Sequence, residues 1–150
     1  MRLNTRRITP ETERPARPGA STVMLVEPDP QARDIAALLM RYYGYEVFCV
    51  AGFTEAMQLA RAVRPDGIVT ERLENPGGAG TIADALRWDA ATRSIPVLVL
   101  TYAEGSGPEG KHHGGPAAAV LSKPVNGEEL LRALIRHVGE PVLAPAAPAA

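Results

Sequence analysis

The sequence predicts an α/β fold, a doubly wound five-stranded parallel sheet with helices on both faces. Three observations predict it. Short, wholly apolar runs recur along the chain, and such runs suit strands buried on both sides. Between them lie segments whose apolar residues repeat at helical spacing. Helix caps and breakers separate the two kinds of segment, and strict strand–helix alternation implies right-handed crossovers within one parallel sheet.

The first strand is Val23-Met24-Leu25-Val26. Asp29-Pro30 follows as an N-cap with proline at the first helical position. Ile35, Leu38, Leu39 and Tyr42 then repeat at helical spacing, and Gly44 is placed to end that helix. Val47 to Val50 is the second strand. Thr54 is read as the cap of a second helix whose face carries Ala56, Leu59, Ala60 and Val63, stopped by Pro65. Ile68-Val69-Thr70 is the third strand. A Gly/Pro loop from Arg72 to Gly80 leads to a third helix with Ile82, Ala85 and Leu86. Pro96 opens the strand Val97 to Leu100, with Thr101 at its C-terminal end. The glycine-rich stretch Glu104 to Gly115 leaves any helix there short or frayed. Ala117 to Leu121 is the fifth strand. Asn126 and Glu129 make a capping-box-like start to the last helix, whose predicted buried face is Leu130, Leu131, Leu134, Ile135 and Val138.

The 150 residues are read as one domain over residues 21–139. Residues 1–20, rich in Arg and Pro, and residues 140–150, nearly all Pro and Ala, lack core-forming groups and are read as disordered tails. A net charge of −1 argues against general binding to nucleic acid or a membrane surface. No apolar run is long enough to span a bilayer. The single cysteine, Cys49, excludes an internal disulfide and suits a reducing cytoplasm.

In open parallel sheets the functional crevice lies at the C-terminal strand ends. That rule selects Glu27, Pro28 and Asp29 after the first strand, Glu71 after the third, Thr101 after the fourth and Lys123 after the fifth.

The chain from about Thr22 to Val138 resembles the receiver domain of two-component response regulators. Ile95 to Thr101 and Leu121-Ser122-Lys123-Pro124 carry the resemblance most strongly. Gly44 to Val47, Arg64-Pro65-Asp66 and Asp89 to Arg93 add to it in the family's order. The fold so implied is the flavodoxin-like three-layer α/β/α sandwich. The resemblance also implies a site where an aspartate after strand three accepts a phosphoryl group with the help of Mg²⁺. Two acidic residues after strand one help to hold the ion, and a hydroxyl after strand four and a lysine after strand five bind the phosphate. Thr101 and Lys123 match those last two parts. Glu71 stands at the acceptor position, and the acidic pair falls on Glu27 and Pro28, so one carboxylate is missing. Tyr102 replaces the small residue at the pocket mouth, Val120 replaces the switch aromatic, and Pro76 sits one position later than the family's loop proline.

These departures lead to the expectation of a degenerate receiver, or pseudo-receiver: a non-enzymatic, cytoplasmic signalling module without a DNA-binding or catalytic output domain. It would act through a protein partner, such as a histidine kinase, independently of phosphorylation. Mg²⁺ would bind weakly or not at all, because Glu27 alone gives this hard ion too few oxygens. Glu71 and Lys123 should form a partly buried ion pair, and Asp29 is read as a cap rather than a ligand. His112 and His113, adjacent in a Gly-rich loop, would need distant partners to close a metal site, Cys49 is read as a core residue, and Trp88 as surface packing. Two alternatives stand beside this reading. One is a phospho-accepting receiver with non-standard residues, using a carboxylate such as Asp29. The other is a small flavodoxin-like nucleotide binder, against which the first strand-to-helix loop lacks phosphate-cradling glycines.

Overall fold

The computed structural model describes residues 21–102 and 116–141. The expectations for the two tails, for the glycine-rich stretch and for His112 and His113 lie outside the described residues, apart from Glu140 and Pro141.

Among the described residues nine elements follow in order: β1 (Thr22–Val26), α1 (Pro30–Tyr42), β2 (Glu46–Val50), α2 (Phe53–Val63), β3 (Gly67–Glu71), α3 (Ile82–Trp88), β4 (Val97–Tyr102), β5 (Ala119–Lys123) and α4 (Gly127–His137). The five strands form one parallel sheet in the order β2-β1-β3-β4-β5. This is the doubly wound arrangement in which the strand order reverses between β1 and β3.

Alternation along the strands divides the core into two layers. Val23, Leu25, Val69, Leu98 and Leu100 face α1 and α4, where Ala36, Ala37, Met40, Leu130, Ala133 and Leu134 meet them. Met24, Val26, Ile68, Val97 and Val99 face α2 and α3, against Ala56, Met57, Ala60, Val63, Ile82, Ala83 and Leu86. The three central strands are buried as their apolar runs predict, whereas the edge strands β2 and β5 are mostly half-buried because each has a neighbour on one side only.

Several boundaries and faces differ from expectation. The buried face of α1 is Ala36, Ala37 and Met40, while Ile35, Leu38 and Tyr42 are exposed. Small alanines let the helix approach the sheet closely, and this overrides the pull of the larger residues. On α2 the buried set includes Met57, with Leu59 half-buried. The N-cap is Gly52 rather than Thr54: its extended backbone starts the helix without a side-chain bond, and Thr54 lies inside the first turn. On α3 Ala83 is buried in place of Ala85, and Ile135 of α4 is exposed where Ala133 is buried. The strand β5 runs two residues later than expected. Its register on β4, from Leu98↔Ala119 to Tyr102↔Lys123, sets its ends.

The caps at the two ends of the site-bearing layer follow their sequence signals. The Asp29 carboxylate accepts from the Ala32 N–H at 2.8 Å with Pro30 opening α1, and the Asn126 side chain accepts from the Glu129 N–H at 3.1 Å. The loop after β3 closes on itself. The Asn75 N–H donates to the Gly80 carbonyl, the Gly77 N–H donates to the Asn75 side chain, and Gly78 and Gly80 take the left-handed φ values of 90° and 77° that the turn needs. Gly67 is needed for a different reason: a Cβ there would run into the Val138 side chain.

Candidate functional site

Parallel register brings Glu27, Glu71, Tyr102 and Lys123 to one rim of the sheet, at the C-terminal strand ends. Lys123 ends β5 and leans across the end of β4. Its Nζ donates to Glu71 Oε1 at 2.5 Å, at the end of β3, and to Glu27 Oε1 at 2.9 Å, just after β1. The expected Glu71–Lys123 pair is present, and Glu27 is a second partner that sequence reasoning did not find. Strands β1 and β5 are separated by two others, so only the length of the lysine side chain joins them.

Burial makes these contacts matter. The side chains of Lys123, Glu27 and Glu71 are 10%, 5% and 23% exposed. Burial alone would push the Lys123 ammonium down, but the hydrogen bonds and charges of Glu71 and Glu27 outweigh it and hold its pKa above the ordinary lysine value. Glu27 also accepts from the Asp29 N–H at 3.1 Å, so both of its oxygens are engaged. The Arg33 guanidinium, another contributor not seen in the sequence, donates to the Glu27 and Pro28 carbonyls at 2.8 and 3.3 Å and fixes the turn before α1.

Tyr102 is largely exposed, and Lys123 Nζ lies 5.1 Å from its ring centroid, a cation–π contact. Thr101 is half-buried on β4 opposite Ser122, one residue back from Tyr102. Val120 is half-buried in the α2–α3 layer, away from the lysine. Pro28 and Asp29 are exposed, with Asp29 acting as the cap of α1. Cys49 is half-buried against the α1–α4 layer, where burial raises its thiol pKa and outweighs the lowering effect of Arg41 and Arg33. Trp88 is 63% exposed at the end of α3.

Beside the charged cluster lies a largely apolar cleft of about 230 Å³, lined by Ile35 and Ala36 of α1, Leu100 and Tyr102 of β4, and Pro124 and Val125 after β5. The Lys123–Pro124 peptide bond is cis. Among the described residues no three His, Cys, Asp or Glu side chains converge as a metal site would require, and no helix is long and apolar enough to cross a membrane.

No family model matches the chain. The chain is 28% identical over 120 residues to the polar-differentiation response regulator DivK of Brucella anthropi, covering 79% of this chain and 97% of that protein. Two longer relatives are matched over only part of their length. The chain spans 49% of the DNA-binding dual master transcriptional regulator RpaA of Synechocystis and 7% of hybrid signal transduction histidine kinase D of Dictyostelium discoideum. Among solved structures, the chemotaxis protein CheY4 of Vibrio cholerae superposes with a TM-score of 0.68 at 28% identity, covering 79% of this chain and 98% of that one. The receiver domain of the sensor histidine kinase PA1611 of Pseudomonas aeruginosa, solved with a magnesium ion in its active-site cleft, also gives 0.68, at 24% identity, over 81% and 99%. The sheet order, the lysine-centred rim and these likenesses agree: the relatives and structural neighbours of this chain are CheY-like response-regulator receiver domains, and the chain has their fold.

Proposed function

We propose that this receiver is a pseudo-receiver, a signalling module that acts by protein–protein interaction without accepting phosphate. One observation carries the reading: Lys123 is held between Glu71 and Glu27, so both carboxylates at this rim already neutralise a resident cation. In this reading Glu71 occupies the phosphoacceptor position, Glu27 and Pro28 the metal-side pair, and Thr101 and Lys123 the switch and phosphate-binding positions. Tyr102 and Val120 take the pocket-mouth and switch-aromatic positions.

A Mg²⁺ ion requires several hard oxygens in near-octahedral array. Pro28 supplies no carboxylate, Asp29 is turned to the helix end, and Glu27 and Glu71 are engaged with Lys123. The donor set therefore does not fit a resident Mg²⁺. The partner proposed is a protein of the same signalling class, such as a histidine kinase, and the compartment is the cytoplasm, which suits the free thiol of Cys49.

Incubation with acetyl phosphate and Mg²⁺ followed by intact-protein mass spectrometry tests the reading. The expected spectrum shows the unmodified mass alone. An added phosphoryl group would overturn it and favour acceptance at a non-standard carboxylate such as Asp29.

A further inference from the structure

The helix α1 turns its bulkiest apolar side chains outward. Ile35 is 65% exposed, Leu38 69% and Tyr42 49%, while the sheet receives Ala36, Ala37 and Met40. Half of the six large exposed apolar residues in the described structure therefore lie on one 13-residue helix. Their spacing of three and then four residues is the a–d–a pattern of a helix seam, which normally has a partner.

The charges beside the seam indicate which partner. Asp34 and Arg41, both exposed, are seven residues apart and so occupy the same flank of the stripe, one acidic and one basic. In an antiparallel pair of identical helices, like flanks meet. With the pair centred on Leu38, Asp34 lies four residues before the centre and Arg41 three after. Asp34 of each helix then falls within about one residue rise, some 1.5 Å, of Arg41 on the other. A parallel pair would not bring these two positions together. The flanks differ in what they already touch: Leu39 rests against Gly127 of α4, whereas Arg41 gives one guanidinium nitrogen to the Val47 carbonyl at 2.8 Å and has others to offer. We propose that this face of α1 binds the same face of a second copy, antiparallel and two-fold symmetric, with Leu38 at its centre and two reciprocal Asp34–Arg41 pairs at its edge. The proposal is independent of whether the cleft accepts phosphate.

Sedimentation velocity of the full chain over a roughly hundredfold range of concentration reads the association. The natural chain is expected to show a concentration-dependent dimer. Leu38→Glu is expected to be monomeric with unchanged circular dichroism, because that side chain is exposed. Asp34→Arg alone should weaken the dimer about tenfold, as two like-charge contacts replace two attractive ones. Arg41→Asp alone should act similarly, and the double reversal Asp34→Arg with Arg41→Asp should return the dissociation constant to within about threefold of the natural value. A natural chain that stays monomeric throughout, even one whose stripe captures a helix of another protein, overturns the proposal. So does a dimer that survives Leu38→Glu, or a double reversal as weak as the single changes.

Discussion

The two rims of the sheet solve the same problem with different chemistry. At the N-terminal strand ends several polar groups are satisfied by bonds that involve the backbone. The Ser21 hydroxyl donates to the Glu140 carbonyl at 2.8 Å, the Tyr45 hydroxyl donates to the Gly139 carbonyl at 2.7 Å, and the Thr22 N–H donates to the Asp66 carboxylate at 2.8 Å. The first two tie the end of α4 to the starts of β1 and β2, the third ties β1 to the turn before β3, and each involves at most one charged group. At the C-terminal ends one cation is shared by two carboxylates. Backbone-directed closure fixes the chain, whereas a charged cluster in a partly dry site can be rebalanced by exchanging side chains. The contrast teaches that the second rim is where chemistry can change without loss of the fold.

The largest effect is expected from breaking the charged rim by one partner only. Lys123→Ala leaves Glu27 buried without its cation and should cost about 3 kcal/mol, read as a lower denaturation midpoint in urea. Combining Lys123→Met with Glu27→Gln and Glu71→Gln should recover most of that loss, because no charge is then stranded. A triple variant as unstable as Lys123→Ala would contradict the view of this rim as an exchangeable charge cluster.

Gly67→Ala strikes the closed rim, where the new methyl group meets Val138 at the end of α4. A cost of about 2 kcal/mol is expected, and a compensating Val138→Ala should relieve part of it.

The smallest effect is that of Tyr45→Phe, which removes one neutral hydrogen bond and should cost about 1 kcal/mol near neutral pH. Its pH dependence is more diagnostic. Burial, and secondarily the charge of Glu140, push the Tyr45 hydroxyl up to about 12 from 10.0. The protonated form is thus favoured by folding, and its contribution is complete below pH 10 and lost as pH rises towards 12. Lys123, also raised, loses its contribution in alkali in the same sense. The difference between the natural chain and Tyr45→Phe should therefore shrink from pH 10 to 12, isolating the tyrosine from the lysine. A constant difference across that window would contradict the assignment.

The sequence carried the central strands clearly, because β1, β3 and β4 are buried on both faces and a continuous apolar run has one interpretation in an alternating pattern. It carried the α1 face poorly. Periodicity finds the stripe Ile35, Leu38 and Tyr42 but does not say which stripe meets the sheet, and here close approach favoured alanine. At the site, Glu71 and Lys123 were readable as strand-end residues of the same crevice. The Glu27 contact was not, since it depends on a lysine reaching past two intervening strands, and neither was the Lys123–Tyr102 contact, which depends on side-chain direction at the last residue pair of β4 and β5. Arg33 gave no signal because its role is to bond backbone carbonyls of the preceding turn.

Repair of the charged rim tests the central claim most directly. Phosphoryl transfer needs an acceptor in line with the donor, a metal to neutralise charge, and room at the mouth. Glu71→Asp alone leaves Pro28 without a carboxylate and Tyr102 over the lysine. The variant carrying Pro28→Asp, Glu71→Asp and Tyr102→Ala supplies the missing parts and keeps Thr101 and Lys123. Intact-protein mass spectrometry after exposure to acetyl phosphate and Mg²⁺ should show one added phosphoryl group on the triple variant, and none on Glu71→Asp or the natural chain. Phosphate on the natural chain, or a triple variant that folds and stays unmodified, would contradict the account.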